Sequence, residues 1–209
     1  VPVLADIITR VRQDIRDTAT PQEFTDAELT RFIERGRDEV SAASPRQRET
    51  TLTTNGTDRT LSLTTLTARL SVEAAEYPTG QWPPAYVRFD IWGDTLTMHI
   101  DGIPAAAQNV KLRWASVHTL DGAGTTLTED LEDVVVLGGA AYALAAFAAS
   151  GAHKLLTGGA ASQRALSAQA SDRLRAYNRA LRQLRSRLGR HTLYPPAEPA
   201  PSQTTDPGP

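Results

Sequence analysis

Between residues 46 and 120 the apolar side chains return at every second position, whereas before and after that stretch they return every three or four. Side chains alternate across a strand and wind around a helix with a period of 3.6, so the two patterns demand different backbones. The chain therefore reads as helices, a β insertion, helices again, and a Pro-rich end. The predicted class is α+β. A helical bundle is built from N- and C-terminal helices, with an inserted antiparallel β module of about six short strands and an extended C-terminal tail. Residues 1–45 form the first helix pair, 46–120 the β module, 121–190 the second helix pair and 191–209 the tail.

The first helix carries Leu4, Ile7, Ile8, Val11 and Ile15 on one apolar stripe,. Asp6, Arg10, Arg12, Asp14 and Arg16 fall on its other faces, and the stretch from Asp17 to Pro21 ends it. Thr25 and Glu28 have the spacing of a capping box at the start of a second helix, and Phe24 and Leu29 stand at the positions of a hydrophobic staple,. Leu29, Phe32, Ile33 and Val40 mark its buried face, and Ser44-Pro45 closes it,.

In the β region, Asn55-Gly56 is the dipeptide that favours a type I′ hairpin and is expected to join 51–53 to 59–63,. Leu70, Val72 and Ala74 alternate next, and 77–84 form a Pro-rich connection. Val87, Phe89 and Ile91 then alternate up to a turn at Gly93-Asp94, followed by Leu96, Met98 and Ile100. Val110, Leu112 and Trp114 alternate with Lys111 and Arg113, which leaves one face wet,.

Beyond the loop at 121–124, Thr128 is positioned as an N-cap. Glu129, Asp130, Glu132 and Asp133 place negative charge at the positive end of a helix dipole, and Lys154 lies near its other end,. Residues 134–152 are uncharged, close to the roughly 20 needed to span a bilayer,. Eight of the nineteen are Ala, and no basic or aromatic belt flanks them, so a buried core helix is expected and no membrane,. Gly138 and Gly139 each forfeit about 1 kcal/mol of helix propensity. Close subunit packing is the expected compensation. In the last helix Ala170, Leu174, Tyr177, Leu181, Leu184 and Leu188 repeat at spacings of 4, 3, 4, 3 and 4, a seam for lengthwise packing,.

Cysteine is absent, which excludes disulfides, thiolate metal sites and thiol nucleophiles,. His99, His118, His153 and His191 lack the spacings of a metal site and are read as surface residues,. Gly122-Ala-Gly124 lacks the rest of a phosphate loop, and no serine sits in a nucleophile elbow,. No catalytic residue, cofactor or metal is expected. A run of 1–8 interrupted by Asp6 is too short for a signal peptide,.

With 22 basic against 24 acidic residues, the chain has no bulk attraction to nucleic acid,. Even so, Arg175, Arg179 and Arg182 form a basic stripe away from the seam, a surface for DNA or for inter-subunit salt bridges. The fifteen residues after Tyr194 include six Pro and no aliphatic side chain larger than Ala. Such a segment cannot offset its ordering entropy alone. Pro195, Pro196, Pro199, Pro201 and Pro207 are accordingly expected to bind another protein chain.

The order of these elements resembles the head–tail connector or adaptor family of tailed bacteriophages and gene transfer agents. The likeness runs over residues 3–190. It lies in 4–16, FTDAELTRFIERGRDEV (24–40), WPPAYVRFDIWGDTLTMHI (82–100), VKLRWASVHTL (110–120), TTLTEDLEDVVVLGGAAYALAAFA (125–148) and the Arg-rich last helix. The resemblance implies a homo-oligomeric, usually twelvefold, ring docked beneath the portal protein. Such a ring extends the channel for double-stranded DNA without sequence specificity and offers a platform to the next neck or tail-completion protein. The implied location is the virion neck, with assembly in the host cytoplasm. A DNA-binding module using the Arg-rich helix is the alternative.

Overall fold

A computed structural model describes residues 2–151 and 159–188. Helices α1 (Leu4–Ile15) and α2 (Asp26–Ala43) precede the strands β1 (Arg46–Thr53), β2 (Thr60–Ser62), β3 (Arg69–Glu76), β4 (Tyr86–Val87), β5 (Phe89–Trp92), β6 (Thr95–Met98) and β7 (Asn109–Ser116). Helices α3 (Glu129–Gly151) and α4 (Gly159–Leu188) follow. The α+β class and the helix, β, helix order are as the sequence predicts.

The cap of α2 forms as its spacing dictates. The Thr25 hydroxyl accepts from the Glu28 N–H at 3.3 Å, and the Glu28 carboxylate accepts from the Thr25 N–H at 2.9 Å. Those Thr25 bonds hold the Glu28 carboxyl below its usual range. Helix α1 ends at Arg16, which adopts a left-handed φ of 60° and donates back to the last carbonyls,.

Two cores divide the molecule. The first gathers Ile7 and Val11 of α1, Leu29, Ile33 and Val40 of α2, Val135 and Ala140 of α3, and Tyr177, Leu181 and Leu184 of α4. Each fully buried aliphatic side chain here is worth about 1.5–3 kcal/mol over leaving it exposed. Helix α3, uncharged beyond Asp133, packs against the other three helices and is one helix long and apolar enough to cross a membrane by length and composition. Because Tyr177 meets Tyr142 and the link between α3 and α4 is short, these helices run antiparallel. The second core, inside the β module, is made by Leu61, Leu63, Leu96, Met98, Val110, Leu112 and Trp114.

The antiparallel β module forms with about the number of strands expected and divides between two sheets. Seven strands, counted among the described residues, form a four-stranded sheet in the order β1-β7-β3-β4 and a three-stranded sheet in the order β2-β6-β5. Asn55-Gly56 does not make a hairpin. β1 pairs with β7 from Arg46↔Ser116 to Thr53↔Asn109, while β2 pairs with β6 in the other sheet. The Asn55 side chain instead accepts from the Thr57 and Asp58 N–H groups, a local turn that carries the chain between sheets,. The Gly93-Asp94 turn does connect β5 to β6 as a two-residue hairpin,. In β3, register shifts between Arg69 and Ser71 and between Val72 and Ala74 break the alternation,. Ala75 is buried as a result, while Leu70 is exposed. Ile91 is likewise exposed, because it lies on the edge strand of the smaller sheet.

Candidate functional site

Three glycines meet where α2, α3 and α4 pack together. A Cβ on Gly36 of α2 would stand 3.3 Å from the Val135 carbonyl oxygen and 3.6 Å from the Gly139 nitrogen of α3. A Cβ on Gly139 would meet Ile33 Cγ1 at 3.1 Å and Val11 Cγ2 at 3.2 Å, and one on Gly138 would meet the Tyr177 ring at 2.8 Å. The neighbours that Gly138 and Gly139 admit thus belong to the same chain. Both positions are close-packed within one chain.

Around this junction sits a polar cluster that the sequence does not announce. The Tyr177 hydroxyl donates to the Gly36 carbonyl at 3.2 Å, and the Tyr142 hydroxyl donates to the Glu39 carboxylate at 2.7 Å. The Arg35 guanidinium lies 4.0 Å from the centre of the Tyr142 ring and its Nε is 3.3 Å from Glu39. Burial, then the hydrogen bond to Glu39 and its charge, pushes the Tyr142 phenol up to about 12. Burial raises the Tyr177 phenol as well. Beside this cluster an open depression of about 510 Å³ is lined by Arg31, Glu34, Arg35, Asp38, Glu39 and Ala42. All six lie along one side of α2, so no second wall encloses a small ligand.

Two further residues differ from expectation. Arg12, placed on a polar face by its helical spacing, is 7% exposed. Its guanidinium reaches Asp17 at 2.6 Å, Asp26 at 2.7 Å and the Phe24 carbonyl at 2.9 Å, tying α1 to the start of α2. His118, read as a surface histidine, is 6% exposed. Its ring nitrogens lie 3.0 Å from the Ser44 and Thr126 carbonyl oxygens, and its backbone N–H donates to the Ser41 hydroxyl. His118 therefore pins the end of α2, the exit from β7 and the approach to α3 at one point. Periodicity could not have found either residue, because the partners lie outside the element that carries it.

The acidic run at the start of α3 has a use beyond the helix dipole. Arg10 of α1 is ion-paired with Asp133 and lies 3.6 Å from the buried Glu132. Among the described residues no group of three or more His, Asp and Glu is placed to hold a metal ion. His99 contacts the exposed Asp90 at 2.9 Å.

Arg175, Arg179 and Arg182 are all exposed on α4. Arg175 bonds Asp172 within the helix at 3.1 Å, and Arg182 donates to the Asn178 carbonyl. The stripe is thus solvent-facing and only lightly neutralised. On the seam, Ala170, Tyr177, Leu181 and Leu184 are buried as expected. Lys154, His153, His191 and the tail residues Pro195, Pro196, Pro199, Pro201 and Pro207 lie outside the described residues.

The exposed large apolar side chains belong to the β module. Trp82 is 92% exposed, Trp92 88% and Ile103 58%. Trp92 flanks the β5–β6 turn, which Arg69 of β3 holds through the Gly93 carbonyl and Asp94. Trp82 and Ile103 lie in loops at the opposite end of the module.

No protein-family model matches the chain, and no curated protein matches it. Among solved structures, one chain of the neck of an empty GTA particle, computed with C6 symmetry, is similar at 14% identity and a TM-score of 0.31. The match covers 65% of this chain and 76% of that one.

Proposed function

We propose that this chain is a structural neck protein, a head–tail connector that assembles as a twelvefold ring beneath the portal of a phage or gene transfer agent particle. The observation that carries the reading is the order of its parts. Two helices, a β module inserted whole and two closing helices stand in the sequence order through which the chain resembles that family. The chemistry of the surface supports the same reading. The one depression described above has a single wall, whereas large apolar side chains project from the β module, as a protein that works by contact requires. In this role the ring extends the DNA channel and offers a platform to the next neck or tail component. It acts without a cofactor or catalytic group, and its Pro-rich tail is held by another protein chain.

The exposed stripe of Arg175, Arg179 and Arg182 favours one second reading, a DNA-binding module. Light scattering and negative-stain imaging of the purified chain separate the two. A ring is the expected result. A small oligomer whose DNA affinity falls steeply with salt would overturn the connector in favour of the alternative.

A further inference from the structure

The Asn55-Gly56 pair, which makes no hairpin, is held in a shape that favours reaction between its own two residues. It lies where the chain leaves β1 of one sheet for β2 of the other. Asn55 is exposed. Its side-chain oxygen accepts from the Thr57 N–H at 2.9 Å and from the Asp58 N–H at 3.2 Å. The carboxamide is therefore folded forward along its own backbone, toward the side on which the Gly56 nitrogen lies. Among the described residues the Gly56 N–H has no hydrogen-bond acceptor.

Each half of the pair has a structural reason to stay. A Cβ on Gly56 would stand 2.7 Å from the Ala106 Cβ and 2.8 Å from the Ala106 nitrogen, and φ there is +79°, so glycine is required,. Asn55 donates as well as accepts. The Asp58 carboxyl is held below its usual range by bonds from the Thr60 hydroxyl and N–H, and also by one from the Asn55 side chain. Acceptance alone would suit Asp equally. Asp121, also followed by glycine, accepts in the same manner from the Ala123 and Gly124 N–H groups at 2.8 and 3.0 Å. An ionised carboxylate resists a nitrogen nucleophile more than a neutral carboxamide does, so Asn55 is the more reactive of the two.

We propose that Asn55 is a site of self-deamidation, a covalent change that the chain undergoes with water alone and that loosens the crossing between the two sheets. The Gly56 nitrogen attacks Asn55 Cγ. A bond forms between them, the Cγ–Nδ2 bond breaks, and the Gly56 proton departs with Nδ2 as ammonia. The Thr57 and Asp58 N–H groups face the oxygen on which negative charge develops, the arrangement that stabilises an oxyanion,. Water then opens the cyclic imide on one side or the other. Cleavage at Cγ leaves aspartate. Cleavage at the main-chain carbonyl leaves isoaspartate, in which the backbone runs through the side-chain carbon. Aspartate puts a carboxylate where an amide donated to Asp58, and like charges so placed repel. Isoaspartate also lengthens a turn whose Gly56 already touches Ala106. The contact that weakens joins residues 54–58 to 101–108, where the Thr54 hydroxyl donates to the Ala105 carbonyl at 2.6 Å. Nothing in this chemistry depends on a ring or a portal.

The test incubates the full chain in mildly alkaline buffer and follows it by peptide mass spectrometry with an isoaspartate assay. The peptide holding Asn55 should gain the mass of an amide-to-acid change, while those holding Asn109 of β7 and Asn178 of α4 keep theirs. Conversion should run several times faster in the folded chain than in urea, because only the fold holds two N–H groups at the reacting oxygen. Asn55→Gln, which needs a larger ring, should abolish it. Asn55→Asp should speed hydrogen exchange at 54–58 and 101–108 with helix content unchanged. No conversion at Asn55, slower conversion in the folded chain than in urea, or persistence in Asn55→Gln would overturn the site. Exchange in Asn55→Asp equal to that of the parent chain would overturn the loosening.

Discussion

The ring of Tyr177 occupies the space that a side chain on Gly138 would need, with Cε2 and Cζ each 2.8 Å from where that Cβ would stand. Gly138→Leu should therefore lower the melting temperature and disturb assembly, although Leu is the better helix former. Overpacking at a buried contact costs about 1–3 kcal/mol, and Tyr177 is anchored by its bond to Gly36, which limits retreat,. Gly139→Ala should cost less, since it meets side-chain carbons of Ile33 and Val11 at 3.1 and 3.2 Å. Thermal denaturation of both variants checks the order. A raised melting temperature for Gly138→Leu with normal assembly would show that the contact is not tight.

Arg12→Met should be among the most damaging single changes on α1. It leaves the Asp17 side chain, itself 9% exposed, without its cation. Removing one partner of a buried pair costs about 3–5 kcal/mol. Asp17 would keep only its bonds from the Glu23 and Phe24 N–H groups. Urea denaturation should show a lower midpoint with an unchanged slope.

The Tyr142–Glu39 pair predicts an alkaline weakness. Tyr142 releases its proton near 10.0 when unfolded and near 12 when folded. The folded state therefore holds more protons across that window. This contribution is complete below about pH 10 and is lost as the pH rises toward 12. Tyr177 is shifted in the same direction and adds to the same limb. In Tyr142→Phe, the fall in urea midpoint above pH 10 should become shallower without vanishing. An unaltered slope would mean that the Tyr142 phenol titrates alike in the folded and unfolded chain.

Changing Arg175, Arg179 and Arg182 together to Gln should leave folding intact, since all three are exposed. If the stripe contacted three phosphates of a duplex, the log–log salt slope of binding would be about −2.7. With a formal charge of −2 on the chain, we expect no measurable duplex binding at physiological salt and no effect of the triple change on ring formation. A salt slope of that size, abolished by the substitutions, would move the function to the stripe.

What was legible in the sequence was local. The Thr25–Glu28 cap, the four helices, the Gly93-Asp94 turn and the seam from Ala170 to Leu184 each depend on residues a few positions apart. The structure builds them as spaced. Pairing between sheets was not legible, because Asn55-Gly56 has the same composition whether it closes a hairpin or crosses between sheets. The bulges in β3 moved burial from Ala74 to Ala75, a one-residue shift that alternation alone cannot foresee. Burial of Arg12 and His118 depended on Asp26, Ser44 and Thr126, partners that helical and strand periods do not connect. Gly138 was legible as a close contact, but its partner Tyr177 lies in another helix, so its own chain and a neighbour looked alike from sequence.

Arg46 and Ser116, the outer ends of β1 and β7, face each other as register partners. Seen from the helices, everything between them leaves and returns through one narrow doorway. An insertion attached this way can be lengthened, shortened or exchanged for another without moving the four helices. The helices in turn can change their packing without re-registering a strand. A lineage carrying this chain could refit the projecting part to a new neighbour while keeping the helical body that holds it, provided the fastening at His118 is preserved.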